Sequence, residues 1–205
     1  MITKRLMHVA VAGFVLVATG TATSHAQEEM SPQQHFDAGH YQAVVDATPQ
    51  DAGDDARYLA AQAHLRLNQP AEAKARLEQL GGGDENNAWT FIGRAGAAQV
   101  DGDFAASEAA ARRAVELNGG LAEAHYQLGQ SLYAASNWSA AADAFAQAAQ
   151  LSPGNAYAHY FAGQAFYRAK RVDRMAQHFE YFLKLAPSAP ERPQVDAVMR
   201  TVRGR

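Results

Sequence analysis

The sequence predicts an all-α array of stacked helix pairs closed by a C-terminal capping helix, and three observations carry that prediction. Leu117, Leu151 and Leu185 stand 34 residues apart, as do Phe104, Trp138 and Val172. A period of that length belongs to a supersecondary unit that cannot bury its apolar face alone and must stack on copies of itself. Alanine, the strongest helix former, crowds stretches such as "SNWSAAADAFAQAAQLSP" at 136–153. Near the C-terminus Val195, Val198, Met199 and Val202 form an i, i+3, i+4, i+7 apolar stripe with Pro193 close to its start.

In chain order, Lys4 and Arg5 precede the apolar run Leu6 to Ala18 and the small residues ending "TSHA". This is the pattern of a secretory signal over 1–26, with Ser24 and Ala26 at the cleavage site. The run is shorter than the roughly 20 apolar residues a membrane span needs, and it contains His8. A periplasmic address is therefore expected. Without the leader, 16 Lys+Arg remain against 21 Asp+Glu, a net charge that disfavours nucleic acid or anionic lipid as partner. The chain has no cysteine, so it lacks both disulfides and the thiol that anchors a bacterial lipoprotein. With 48% hydrophobic and 19% charged residues, it belongs with folded rather than disordered chains.

The last two units coincide closely. His125, Tyr126, Gly129, Gln130 and Tyr133 recur as His159, Tyr160, Gly163, Gln164 and Tyr167. The segment "HYQLGQSLY" followed by Ala141, Phe145 and Pro153 resembles the tetratricopeptide repeat, with His125 in the place of its Trp and Leu132 in that of its Tyr. Each residue type has a packing reason. Small residues at Gly129, Ala141 and Ala148 let two antiparallel helices approach, Phe145 and Leu128 fill the remaining space, and Pro153 ends the second helix.

The resemblance implies a right-handed α-solenoid of about four helix pairs and divides the chain. Residues 27–53 hold a degenerate half repeat, "FDAGHYQAVVDA", read as a turn and second helix. Residues 54–87 form a repeat ending in the Gly81–Gly83 break, expected as a hinge because consecutive glycines are flexible. Repeats follow at 88–121, 122–155 (the best match) and 156–189, then the cap and basic tail at 190–205. In 156–189, Met175 and Phe182 replace small residues, which predicts wider helix spacing there.

No motif announces catalysis. The chain lacks a G-x-S-x-G elbow, an H-E-x-x-H pair and a phosphate-binding Gly-Lys-Ser/Thr loop. His125 and His159 share a repeat position and could approach each other, but no third ligand stands at useful spacing. Neither a metal, a cofactor nor a catalytic residue is expected. Asp55 and Glu123 are the acidic groups at inner positions, and lying two repeats apart they are expected to be too distant for glycoside hydrolysis.

The resemblance also implies a concave groove lined by the first helix of each repeat. Carried over position by position, it places Tyr58, Gln62, Trp89, Ile92, Gln99, Tyr126, Gln130, Tyr133, Tyr157, Tyr160, Gln164 and Tyr167 on that surface. Glutamine amides can pair with a peptide backbone, and tyrosines give large contact area at low entropic cost. Tyr157 and Trp89 occupy positions where core packing supplies no reason for an aromatic. Arg66 and Arg168 are the nearest cations, unlike the Lys/Arg/Asn lining of repeats that clamp acidic chaperone tails. The expected function is a non-enzymatic periplasmic adaptor that holds a peptide or helix of an exported partner, as in the assembly of an envelope complex. The alternatives are a self-associating module whose groove is filled by another copy or by residues 27–35, and a cell-wall ligand-binding or hydrolytic subunit.

Overall fold

A computed structural model describes residues 30–204; the leader predicted over 1–26 lies outside the described residues. The elements described are all helices: α1 (Pro32–Asp37), α2 (Tyr41–Asp46), α3 (Asp54–Arg66), α4 (Pro70–Gly81), α5 (Ala88–Val100), α6 (Phe104–Leu117), α7 (Ala122–Ala134), α8 (Trp138–Leu151), α9 (Ala156–Arg168), α10 (Val172–Leu185) and α11 (Arg192–Arg203). Each packs on its neighbours in sequence, as in a right-handed solenoid.

The turns repeat as faithfully as the helices. Asn68, Gly102, Ser136 and Lys170, spaced by 34, all have positive φ, between 58° and 78°. In each turn the next residue's N–H returns to a carbonyl five residues back, as in Gln69 to His64 (2.9 Å), Asp103 to Ala98 (2.9 Å), Asn137 to Leu132 (2.8 Å) and Arg171 to Phe166 (2.9 Å). That is the bond of a Schellman stop, which satisfies a carbonyl the ended helix leaves open. Only at Gly102 is the left-handed backbone without cost; the other three hold it because the next helix must start there. Of the helices that follow these turns only α6 has a side-chain cap, Asp103 accepting from Ala106 N–H (3.0 Å); α9, elsewhere, is capped by Asn155, which accepts from Ala158 N–H (3.0 Å).

The seams between paired helices are made by a small residue meeting a large one. A Cβ on Gly129 would stand 2.7 Å from the Phe145 ring, and one on Gly163 would stand 2.5 Å from that of Phe179. Both rings are buried. The approach in the fourth unit is thus as close as in the third, against the wider spacing expected from Met175 and Phe182. Phe182 finds its room against Tyr157 and Tyr160, at ring-centroid distances of 6.0 and 5.1 Å.

The boundaries of the array are held by specific contacts. Gly81 ends α4 against α5, where a Cβ on Gly93 would lie 2.5 Å from Gly81 N and from Leu77 O. Arg94 Nε donates to Gly81 O (3.0 Å) and Thr90 Oγ1 to Asp84 O (2.7 Å), so the glycines serve close approach in a pinned connection. At the N-terminus Phe36 lies inside α1, and α1 and α2 form a short hairpin turning at Gly39 (φ 81°). At the other end, α11 buries Val195 and Met199 against the last repeat and half-buries Val198 and Val202. Arg192 is half-buried, its Nη1 donating to Leu183 O (3.1 Å), while Arg200 is exposed.

Candidate functional site

The superhelix turns tightly enough for its inner wall to meet itself. Tyr58 O–H on α3 donates to Gln127 Oε1 on α7 (2.9 Å), and Gln130 Nε2 on α7 donates to Gln62 Oε1 on α3 (3.0 Å). Gln127 in turn donates to Gln99 Oε1 on α5 (3.1 Å). The two ends of the array also touch: a Cβ on Gly39 would stand 2.6 Å from Pro190 Cγ.

A polar latch holds this closure. Glu191, at the start of the cap, accepts from Arg66 Nη1 (3.1 Å) with one oxygen and from Tyr157 O–H (2.7 Å) with the other. Tyr41 on α2 shares a 2.8 Å hydroxyl contact with Tyr157. The Arg66 guanidinium lies over the Tyr157 ring (4.7 Å) and the Phe161 ring (5.2 Å). A charge drawn out of water keeps its stability only when paired and hydrogen-bonded, and Arg66 is both. Burial, together with its bonds to Tyr41 and Glu191, raises the Tyr157 hydroxyl far above the ordinary phenol range, so it stays a donor.

The expected groove residues therefore divide. Tyr58, Gln62, Ile92, Tyr126, Tyr157 and Tyr160 are buried; Trp89, Gln99, Gln130, Tyr133 and Gln164 are half-buried; Tyr167 is exposed. The glutamines bond to wall partners rather than standing free, Gln164 Nε2 reaching the Tyr160 hydroxyl (2.9 Å). Tyr157 has the packing reason that its position withheld: it meets Phe36 edge-on at 5.1 Å and Phe182 at 6.0 Å. Trp89 tilts against Tyr58 at 5.9 Å. Arg66 belongs to the latch, and Arg168 stacks over Trp138 (5.6 Å).

What remains open is a cavity of about 290 Å³ where α1 crosses the mouth of the wall. Phe36, Tyr58, Tyr126 and Tyr157 supply its aromatic sides, Gln62 and Glu123 its polar ones, with Asp55 and Gln33 also lining it. Asp55 and Glu123 thus line one cavity, because closure brings α3 against α7. Burial, with the Asp55 charge adding to it, raises the Glu123 carboxyl above its ordinary range.

The histidines pair differently from the expectation. His125 Nε2 contacts Gly119 O (3.0 Å), whereas His159 Nδ1 meets His178 Nδ1 on α10 (3.2 Å). Sequence reasoning missed His178, which a search of the facing helix for a partner to His159 could have found. The pair lines an outer cleft of about 580 Å³ with Gln147, Gln150, Arg174 and Tyr181. His35 and His40 lie beside each other, ring centroids 5.8 Å apart. Among the described residues no group of three or more His, Cys, Asp or Glu side chains could hold a metal ion, and no helix is long and apolar enough to cross a membrane.

Comparison with known proteins agrees with this architecture. Tetratricopeptide repeat profiles match residues 94–155 and 126–190, and a further one matches 55–81. The structure is similar to TTC0263, a thermophilic TPR protein of Thermus thermophilus, at 16% identity and a TM-score of 0.58, over 83% of this chain and 94% of that one. It is also similar to a double mutant of MamA RS-1 (17% identity, TM-score 0.55, 82% and 85% covered) and to the TPR domain of Arabidopsis OM64 (18%, 0.54, 58% and 98%). No curated protein sequence matches. The chain belongs to the tetratricopeptide repeat family, whose arrays are protein–protein interaction scaffolds and in general not catalytic.

Proposed function

We propose that this protein is a non-enzymatic periplasmic adaptor that holds an extended segment of an exported partner at the mouth of its inner wall, in the service of an envelope assembly. The observation that carries the reading is the cavity bounded by Phe36, Tyr58, Gln62, Glu123, Tyr126 and Tyr157. At about 290 Å³ it suits one long side chain and its flanking backbone, whereas a helix about 10–12 Å across would require the wall to open. The leader pattern of residues 1–26 supports the address.

The test is capture from periplasmic extract by the exported protein beside an Ala56→Trp variant, which fills the cavity from its rim and leaves Arg66 and Glu191 of the latch in place. A partner held by the parent and lost by a folded variant supports the site; equal capture by both overturns it. N-terminal sequencing of the osmotic-shock fraction checks the address: a chain beginning at Gln27 agrees, and an uncleaved cytoplasmic chain does not.

The hydrolytic alternative gains one observation, the convergence of Asp55 and Glu123 on one cavity. An Asp55→Asn/Glu123→Gln variant that loses turnover of cell-wall material would favour it. The alternative in which the chain's own residues 27–35 fill the groove gains another, since Ser31, Pro32 and Gln33 line the same cavity.

A further inference from the structure

The cavity has a chemical bias that its aromatic walls alone do not explain. Asp55 and Glu123 both line it, and neither is paired with a cation among the described residues. Both stand in the first turn of a helix, where a carboxylate complements the helix dipole. That ordinary role accounts for Glu123, the one first-turn acid of α7, but α3 has a second acid for it. Asp54, one residue earlier, already serves the α3 terminus and holds Arg57 at 3.1 Å. The nearest inner-wall cation, Arg66, is held by Glu191.

A second group points into the same space. Gln62 is only 8% exposed and lines the cavity. Its Oε1 accepts from Gln130, and its Nε2 makes no hydrogen bond to the described residues. An amide donor that lines a cavity without a protein partner can take an acceptor that enters it. The site therefore offers a donor suited to a backbone carbonyl, carboxylates suited to a cation, and aromatic faces between them.

We propose that the cavity is a socket for a basic side chain, arginine or lysine, carried by the extended partner segment. The aliphatic stem would lie on Phe36, Tyr126 and Tyr157, the cation would meet Glu123 and Asp55, and the Gln62 amide would take a neighbouring carbonyl. Charge complementarity selects this occupant over the residues just before the described chain, which read Gln27-Glu28-Glu29 and would bring two more carboxylates. The proposal rests on the cavity being the partner site.

The experiment is a titration of the isotopically labelled, exported protein followed by amide chemical shifts, with two capped pentapeptides as probes. One is Gly-Gly-Arg-Gly-Gly; the other carries citrulline, the uncharged isostere of arginine. The expected result is saturable shifts confined to residues 55–62 and 123–126, at least about tenfold weaker for citrulline. Glu123→Gln and Asp55→Asn, both polar replacements near the cavity rim, should bring the arginine peptide down to the citrulline level. If citrulline binds equally well at the same amides, the cavity reading survives and the basic socket is wrong. If neither peptide moves those amides, both fall. Unchanged arginine affinity in the folded Asp55→Asn/Glu123→Gln double variant also overturns the socket.

Discussion

The first helix of each repeat shows two faces that obey different rules. Toward its own partner helix it presents small residues, and in the third and fourth repeats one aromatic ring locks against a glycine: Gly129 on Phe145, Gly163 on Phe179. Toward the inside of the superhelix it presents tyrosine and glutamine, part of a network that bonds residues as far apart as Tyr41 and Tyr157 or Arg66 and Glu191. The seam is apolar, local and repeated every 34 residues. The wall is polar, long-range and different at each level. Steric exclusion at the seams and hydrogen-bond geometry at the wall therefore answer to different perturbations.

The largest effect is expected at a seam. Gly163→Val would drive side-chain atoms into a buried Phe179 ring from a Cβ position already 2.5 Å away, and overpacking of this kind costs about 1–3 kcal/mol or more. The urea midpoint should fall accordingly. Gly154→Ala, with nothing within 4 Å, should stay within about 0.5 kcal/mol. Equal losses at both positions would mean that seam contact is not what matters.

The latch comes next. Glu191→Ala removes the acceptor of Arg66 and of Tyr157 and leaves a partly buried guanidinium without its partner, at a cost of about 1–3 kcal/mol. Because the latch joins the ends of the array, hydrogen exchange should quicken first in α1 and α2. Uniform quickening across all helices would show instead that the wall and the seams open as one unit.

The smallest effects are those of pH, and they have opposite signs at the two places. Burial, then His159 and Arg174, push the His178 imidazole down from 6.5 to about 4. Its neutral form is the one the fold accepts, so its contribution is complete above pH 6.5 and is lost as pH falls toward 4. Allowing for solvent screening, about 1 kcal/mol is at stake, or about 2–4 °C in Tm. His178→Phe should remove that acid sensitivity. Asp37 on α1 runs the other way: burial raises its carboxyl from 3.8 to about 6. Its contribution is present at low pH and lost as pH rises through about 6, so Asp37→Asn should slow exchange of α1 relative to the parent at pH 7 more than at pH 5. No change in α1 protection would mean that docking of the N-terminal hairpin does not depend on this group.

Periodicity determined a great deal here. The helix pairs, the glycine-to-phenylalanine seams, the turn positions and the amphipathic cap are local or nearest-neighbour features. A single repeat contains all the residues each one needs, so spacing in the chain is spacing in the fold. The assignment of the tyrosines and glutamines to the inner wall comes from the family resemblance, carried over position by position. What phase cannot state is how tightly the superhelix turns, since that depends on small rotations accumulated over several units. Only the tertiary structure decided that the wall closes on itself, that Tyr157 is latched to Glu191 and packed on Phe36, and that Asp55 and Glu123 share one cavity. Apart from Tyr157 and Glu191, which stand one repeat length apart, those contacts join residues two or more repeats apart in the chain, and closing the wall on the chain's own ends buries apolar surface that an open groove would leave to water.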